Sequence, residues 1–246
     1  IGRGIAERMV LRGHRVVVTD VDEAAVRRTA GEIGAVEGLA QDIRDRDSHA
    51  FVAERAASYG RVVAWFNNAG VGDDGRLSEL TDEQVQRLVD VNLLGTLWGM
   101  RAALSAFGPE GGDIVNTASL AGLGPVPGYA VYAATKAAVV SASMSVDAET
   151  QSSVRVHALC PDGVQTAMLD GQNPTGLGAK LVHSGGRILT VDEVADAAVA
   201  MVGSRRVVQA VPSWRGALMR VSATAPSLAK QSLSLLAAQG SRAMQR

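Results

Sequence analysis

The strongest constraint on this chain is a repeated alternation of short β-branched runs with helical stretches, running from residue 15 to residue 159. Residues 15–19 (Arg15-Val-Val-Val-Thr19) read as a strand, and 23–33 as a helix closed by Gly34. A weaker strand at 36–40, a helix at 45–59 and the apolar strand 62–66 continue the pattern. Thr81 is a candidate N-cap for a long helix reaching Phe107, after which come a strand at 113–117, a helix at 129–149 and a strand at 154–159. Strands that alternate with helices pair in parallel through right-handed crossovers. The expected fold class is therefore α/β, a doubly wound parallel sheet with helices on both faces. Ligands of such sheets bind beyond the carboxyl ends of the strands.

A length of 246 residues fits one domain of this class, spanning 1–246. Residues 163–190, rich in glycine and holding Asn173 and Pro174, are longer than an ordinary connection and read as a substrate lid. An amphipathic helix follows at 191–202, then a helical C-terminal tail at 212–246 whose last helix, 227–239, lies between Pro226 and Gly240. With 24 basic against 25 acidic residues, the net charge of −1 gives no electrostatic reason to bind nucleic acid or an anionic membrane. The expected partner is a small molecule. Cys160 is the single cysteine, so no internal disulfide can form; a cytoplasmic location is the default, and no metal site is expected. No run approaches the ~18 consecutive apolar residues of a membrane span. Basic and aromatic residues in the tail (Trp214, Arg215, Arg220, Lys230, Arg242) admit a surface-binding role, but core packing explains most amphipathic tails.

Tyr132 and Lys136 stand four residues apart, so on a helix both project from one face. A free phenol, with a pKa near ~10, is a poor base at neutral pH, and a nearby cation favours its ionised form. Ser119 lies thirteen residues before Tyr132, just past a strand, where its hydroxyl can bond a substrate carbonyl or simply form a turn. Asn92 interrupts the long helical pattern, and asparagine suits a helix interior poorly, which points to a kink or a functional role.

Strand, Ser119, Gly/Pro loop, Tyr132 and Lys136 in this order resemble the short-chain dehydrogenase/reductase family. The resemblance extends to Asn67-Asn-Ala-Gly70, Val91-Asn92, Asp42-Ile43 and residues 161–168, and covers most of the chain up to about Thr166. It implies a nicotinamide-dependent oxidoreductase acting on an alcohol or ketone, with Tyr132 as acid/base. Lys136 would lower the tyrosine pKa and hold the nicotinamide ribose, Ser119 would orient the substrate oxygen, and Asn92 would hold a water linking Lys136 to solvent. Asn68, Ala69 and Gly70 would lie beside the adenosine half, Asp42 and Ile43 would flank the adenine, and Val164 and Thr166 would contact the carboxamide. Asp42 equally suits capping of the next helix. Asp20, 18 residues after Gly2, is placed to accept the ribose hydroxyls of NAD and to repel the phosphate of NADP, so NAD is expected over NADP. Its neighbour Asp22 suits a helix N-cap.

Ile1 and Gly2 match the last two positions of the family's glycine fingerprint, T-G-x-x-x-G-I-G. A first strand and a glycine-rich turn are therefore expected upstream of this chain. Two departures stand out: Pro161-Asp162 where the family usually has Pro-Gly, and Pro212-Ser-Trp-Arg-Gly216 with a helical tail in place of a glycine-rich ending. The resemblance implies a homodimer or homotetramer. A catalytically weak dinucleotide-binding module is the alternative, motivated by the incomplete phosphate turn.

Overall fold

The computed structural model describes residues 1–150, 153–171, 173, 175–224 and 226–244; positions 172 and 174 of the expected lid lie outside them. The first half runs α1 (Gly2–Leu11), β1 (Val17–Asp20), α2 (Glu23–Ile33), β2 (Glu37–Ala40), α3 (Arg46–Ser58) and β3 (Ala64–Asn67). Local chemistry sets these boundaries. The Asp22 carboxylate accepts the Ala25 N–H at the start of α2, and Gly34 ends that helix with φ 74°, a left-handed conformation that costs glycine little. Asp45, not Asp42, caps α3.

The stretch expected as one long helix is α4 (Asp82–Val89), a π-helical segment Asp90–Gly95 and α5 (Thr96–Ala106). It opens with a capping box between Thr81 and Gln84. The π segment carries Asn92, and such bulges tend to occur at functional sites. Then come β4 (Gly112–Thr117), a 3₁₀ turn at Leu120–Gly122, α6 (Ala130–Glu149) and β5 (Val154–Pro161). The lid region contains α7 (Ala167–Asp170) and α8 (Leu177–His183), and α9 (Val191–Met201) follows it. The chain ends with β6 (Val208–Val211), α10 (Ser213–Thr224) and α11 (Pro226–Ala243), so the tail holds two helices where one was expected.

All strand pairings are parallel, as expected, but the described strands form two sheets: β1–β2, and β3–β4–β5–β6. Between them β1 and β3 line a cavity of about 700 Å³ together with Ile5 and Met9 of α1. Alternate residues of the central strands face opposite helix layers. Val115 and Leu159 pack with Ile5 and Met9 of α1 and with Val194 and Ala198 of α9. Ile114 and Val156 meet Met100 and Ala103 of α5, while Ala158 and Cys160 meet Val139 and Val140 of α6. Burying each large aliphatic side chain is worth roughly 1.5–3 kcal/mol, which makes β4 and β5 the rigid base on which the site stands.

That base carries a buried charge at its amino end. Asp113 accepts two 2.7 Å hydrogen bonds from Arg155 and one of 3.1 Å from the Gly203 N–H, and His157 Nε2 lies 3.0 Å from it. Burial alone would raise this carboxyl, but its hydrogen bonds to His157, Arg155 and Gly203 hold it well below the usual carboxylate range.

Candidate active site

At the opposite, carboxyl ends of the strands, β4 delivers Ser119 and α6 delivers Tyr132 and Lys136 to one cleft of about 1790 Å³. Ser119 Oγ accepts the Ala121 N–H at 3.2 Å, so it does form a turn while lining the cleft. Lys136 is 4% exposed, and its Nζ donates a 2.8 Å hydrogen bond to the Thr117 carbonyl. The same ammonium lies 5.8 Å from the Tyr132 ring centroid. Burial pushes the Lys136 ammonium down to about 8. It raises the Tyr132 phenol, against which the Ser119 hydrogen bond acts. Burial thus outweighs the lowering expected from the lysine, whose Nζ sits beside the ring and is turned to Thr117.

Asn92 is fully buried and does not line the cleft. Its Oδ1 accepts the Val71 N–H at 2.8 Å and its Nδ2 donates to the Val71 carbonyl at 2.9 Å, pinning the loop that follows β3. The π-helical turn is what aims this side chain at that loop. Gly70 lies in the same place, where a Cβ would stand 3.1 Å from Asn92 Oδ1 and 3.4 Å from Lys136 Nζ. A larger residue at 70 would press on both.

Along the other half of the cleft lie Asp20, Asp42, Ile43, Asn68, Ala69, Val164 and Thr166. Asp20, exposed at the end of β1, has among the described residues only the Asp22 N–H on its carboxylate, at 3.1 Å. Asp42 is held by Arg44 at 2.6 Å, and that guanidinium lowers its pKa. Val164 bridges to Leu189 across the lid base, and Thr166 Oγ1 donates to the Val164 carbonyl at 3.2 Å. Gly2 borders the cavity between the sheets and not this cleft; a Cβ there would come within 2.7 Å of Asn68 Nδ2.

The residues 1–176 match the family model described as short chain dehydrogenase. The chain belongs to the short-chain dehydrogenase family. It is 37% identical over 185 residues to sorbitol dehydrogenase of Cereibacter sphaeroides, an alignment covering 73% of this chain and 70% of that protein. To 2,5-dichloro-2,5-cyclohexadiene-1,4-diol dehydrogenase of Sphingobium indicum it is 36% identical over 209 residues, 81% of this chain and 84% of that one. The crystal structure of 3-ketoacyl-(acyl-carrier-protein) reductase from Brucella melitensis, complexed with NADH, superposes with a TM-score of 0.76 at 31% identity. That match covers 85% of this chain and 90% of the reductase.

Within this family member the cleft also gathers residues that sequence reasoning did not assign to the site. Asp162, noted only as a departure from Pro-Gly, accepts a 2.8 Å hydrogen bond from Arg215 Nε; both side chains are 9% exposed. The rest of the Arg215 guanidinium reaches Ser184 Oγ at 3.3 Å and the Leu181 carbonyl at 3.4 Å. One side chain of α10 therefore ties the end of β5 to the end of lid helix α8. The two residues are 53 positions apart, and the only local signal was the unusual Asp162. Tyr129, 6% exposed at the start of α6, stacks obliquely on Tyr132 with ring centroids 5.7 Å apart and supports α8 at Gly178.

Proposed function

We propose that this chain is an NAD-dependent oxidoreductase that interconverts a secondary alcohol and its carbonyl. The observation that carries the reading is the convergence of Ser119, Tyr132 and Lys136 on one cleft with Asp20 at its far end. The residues suit a nicotinamide dinucleotide. Lys136 is buried with one hydrogen bond to Thr117 and so keeps donors for ribose hydroxyls, Gly70 leaves the backbone open to close approach, and Asp20 offers acceptors for an adenosine ribose. The Brucella reductase, similar over most of its length, is described with NADH bound.

A bound nicotinamide supplies hydride to the carbonyl carbon, or takes it from the carbinol carbon in the reverse direction. The chain does the rest. Ser119 Oγ donates a hydrogen bond to the substrate oxygen and fixes its position. Tyr132 Oη gives its proton to that oxygen as the C–O double bond becomes single, and takes it back in oxidation. Lys136, held by Thr117, keeps positive charge beside the phenol, which favours its ionised form against the opposing effect of burial. Asn92 sets the loop that carries Gly70 and Val71. Asp20 repels the extra phosphate of NADP and so favours NAD.

Following NADH absorbance with a panel of ketones and secondary alcohols tests the reading. Turnover of at least one class at the expense of NAD(H) is expected. Tight NADH binding with no turnover across the panel would replace it with the dinucleotide-binding module.

A further inference from the structure

The substrate half of the cleft is largely apolar, and most of its polar groups are already engaged. It is walled by Leu120 and Val126 beyond β4, Leu181 and Val182 of lid helix α8, and Leu218 and Met219 of α10. The cleft as a whole, about 1790 Å³, exceeds the roughly 300–1,000 Å³ of a single-ligand pocket and so has room for a sizeable second ligand beside a dinucleotide.

Most polar side chains among these walls are turned to the protein. Arg215 is paired with Asp162. Ser184 Oγ donates to the Leu181 carbonyl at 2.6 Å, and Ser222 Oγ to the Met219 carbonyl at 2.7 Å. Asp73 binds Arg87 at 2.6 Å, and Asp74 receives the Asn173 N–H at 3.2 Å. Ser119 and Tyr132 remain as hydrogen-bonding groups for the reacting oxygen, and the buried Tyr129 hydroxyl, without a hydrogen-bond partner among the described residues, remains for one further polar group. A molecule with one oxygen on an apolar body gains from every wall it touches. A polyol entering the same space gives up water at each hydroxyl and meets side chains whose hydrogen bonds are mostly spent.

We propose that the substrate is a secondary alcohol or ketone with an extended apolar body. The body runs from Ser119 and Tyr132, between α8 and α10, out to Leu218. Leu218 is 46% exposed and also lines the cleft, so the path reaches solvent there. The inference rests on the oxidoreductase reading for its reacting group, but the apolar path has its own readout.

Calorimetric titration of 2-alkanones from four to twelve carbons, in the presence of NAD, measures that path without turnover, because a ketone cannot reduce NAD. Each buried methylene is expected to lower Kd about fourfold until the path is full, equivalent to ~0.8 kcal/mol. Leu218→Asp, at a position where a charge can still reach water, is expected to flatten that slope for the longest ketones. Dihydroxyacetone and fructose are expected to bind more weakly than 2-hexanone. A Kd independent of chain length, a polyol that binds tighter than the alkanones, or an unchanged slope in Leu218→Asp would each overturn the proposal. A steep slope in a protein that reduces no ketone would leave the apolar path standing and remove the oxidoreductase reading instead.

Discussion

Two buried carboxylates sit at opposite ends of the same sheet: Asp113 at the amino end of β4, and Asp162 just beyond β5. Each is paired with an arginine, at 2.7 and 2.8 Å, yet the consequences differ. The partners of Asp113 are framework throughout: Arg155 and His157 on β5, and the Gly203 N–H before β6. The arginine of Asp162 instead belongs to the tail and extends to Ser184 and Leu181 at the end of the lid. At one end the charge locks strands that have nowhere to go; at the other it sets where a covering helix rests. The chemistry lies at the second end, where Tyr132 and Lys136 are shifted by burial with fewer partners to compensate.

The sharpest way to separate the two ends is Tyr132→Phe. Phenylalanine keeps the ring and removes the oxygen, so turnover should fall by about 10³–10⁴-fold while thermal stability and NADH affinity stay near wild type. Retention of most activity in steady-state assays would move the acid/base role away from Tyr132.

Asp113→Ala should do the reverse. Leaving Arg155 and His157 without their carboxylate is expected to cost about 3–5 kcal/mol of folding free energy, read from urea denaturation, with kcat and KM of the folded fraction unchanged. The pH dependence has a definite sign. The folded pKa of Asp113 lies below the unfolded value near ~3.9, so its contribution is fully present above that value and is lost as pH falls below it toward the folded pKa. Wild type should lose stability more steeply than Asp113→Ala across that acid range. Parallel acid profiles would show that the network is not the staple described.

Arg215→Met tests the lid end. Losing the charged hydrogen bonds that hold α8, each worth ~1.5–3 kcal/mol, should raise the KM of the alcohol or ketone by on the order of tenfold, with less change in kcat. Arg215→Lys should recover part of it. An equal fall in kcat with KM unchanged would place Arg215 in the framework class with Arg155.

The smallest effect belongs to Asp20, an exposed carboxylate. Asp20→Ser should shift the kcat/KM preference for NAD over NADP by a few-fold, corresponding to ~1 kcal/mol, because an exposed charge is screened by solvent. An unchanged ratio would make another group the selector.

Much of this was legible from local signals. The strand and helix positions as far as β5 followed from periodicity, whereas β6 and the lid helices α7 and α8 did not; α2 and α4 announced themselves by Asp22, Gly34 and Thr81, and the four-residue spacing of Tyr132 and Lys136 put both on one face before any tertiary contact was known. The interruption at Asn92 was visible as a residue unsuited to a helix interior, and it lies in a π-helical turn. These features depend on residues within one or two turns of each other, where geometry is fixed by the backbone.

Other features depended on chain segments far apart. The bonding of Asn92 to Val71 across 21 positions and the link from Asp162 through Arg215 to the lid arise only when distant elements meet. The directions in which Tyr132 and Lys136 are shifted belong with them, since both follow from burial. The sequence by itself determined the order of elements, their caps and the residue types offered to the cleft. The tertiary structure decided which of those residues face it, because desolvation and hydrogen-bond partnership depend on what the rest of the chain brings alongside.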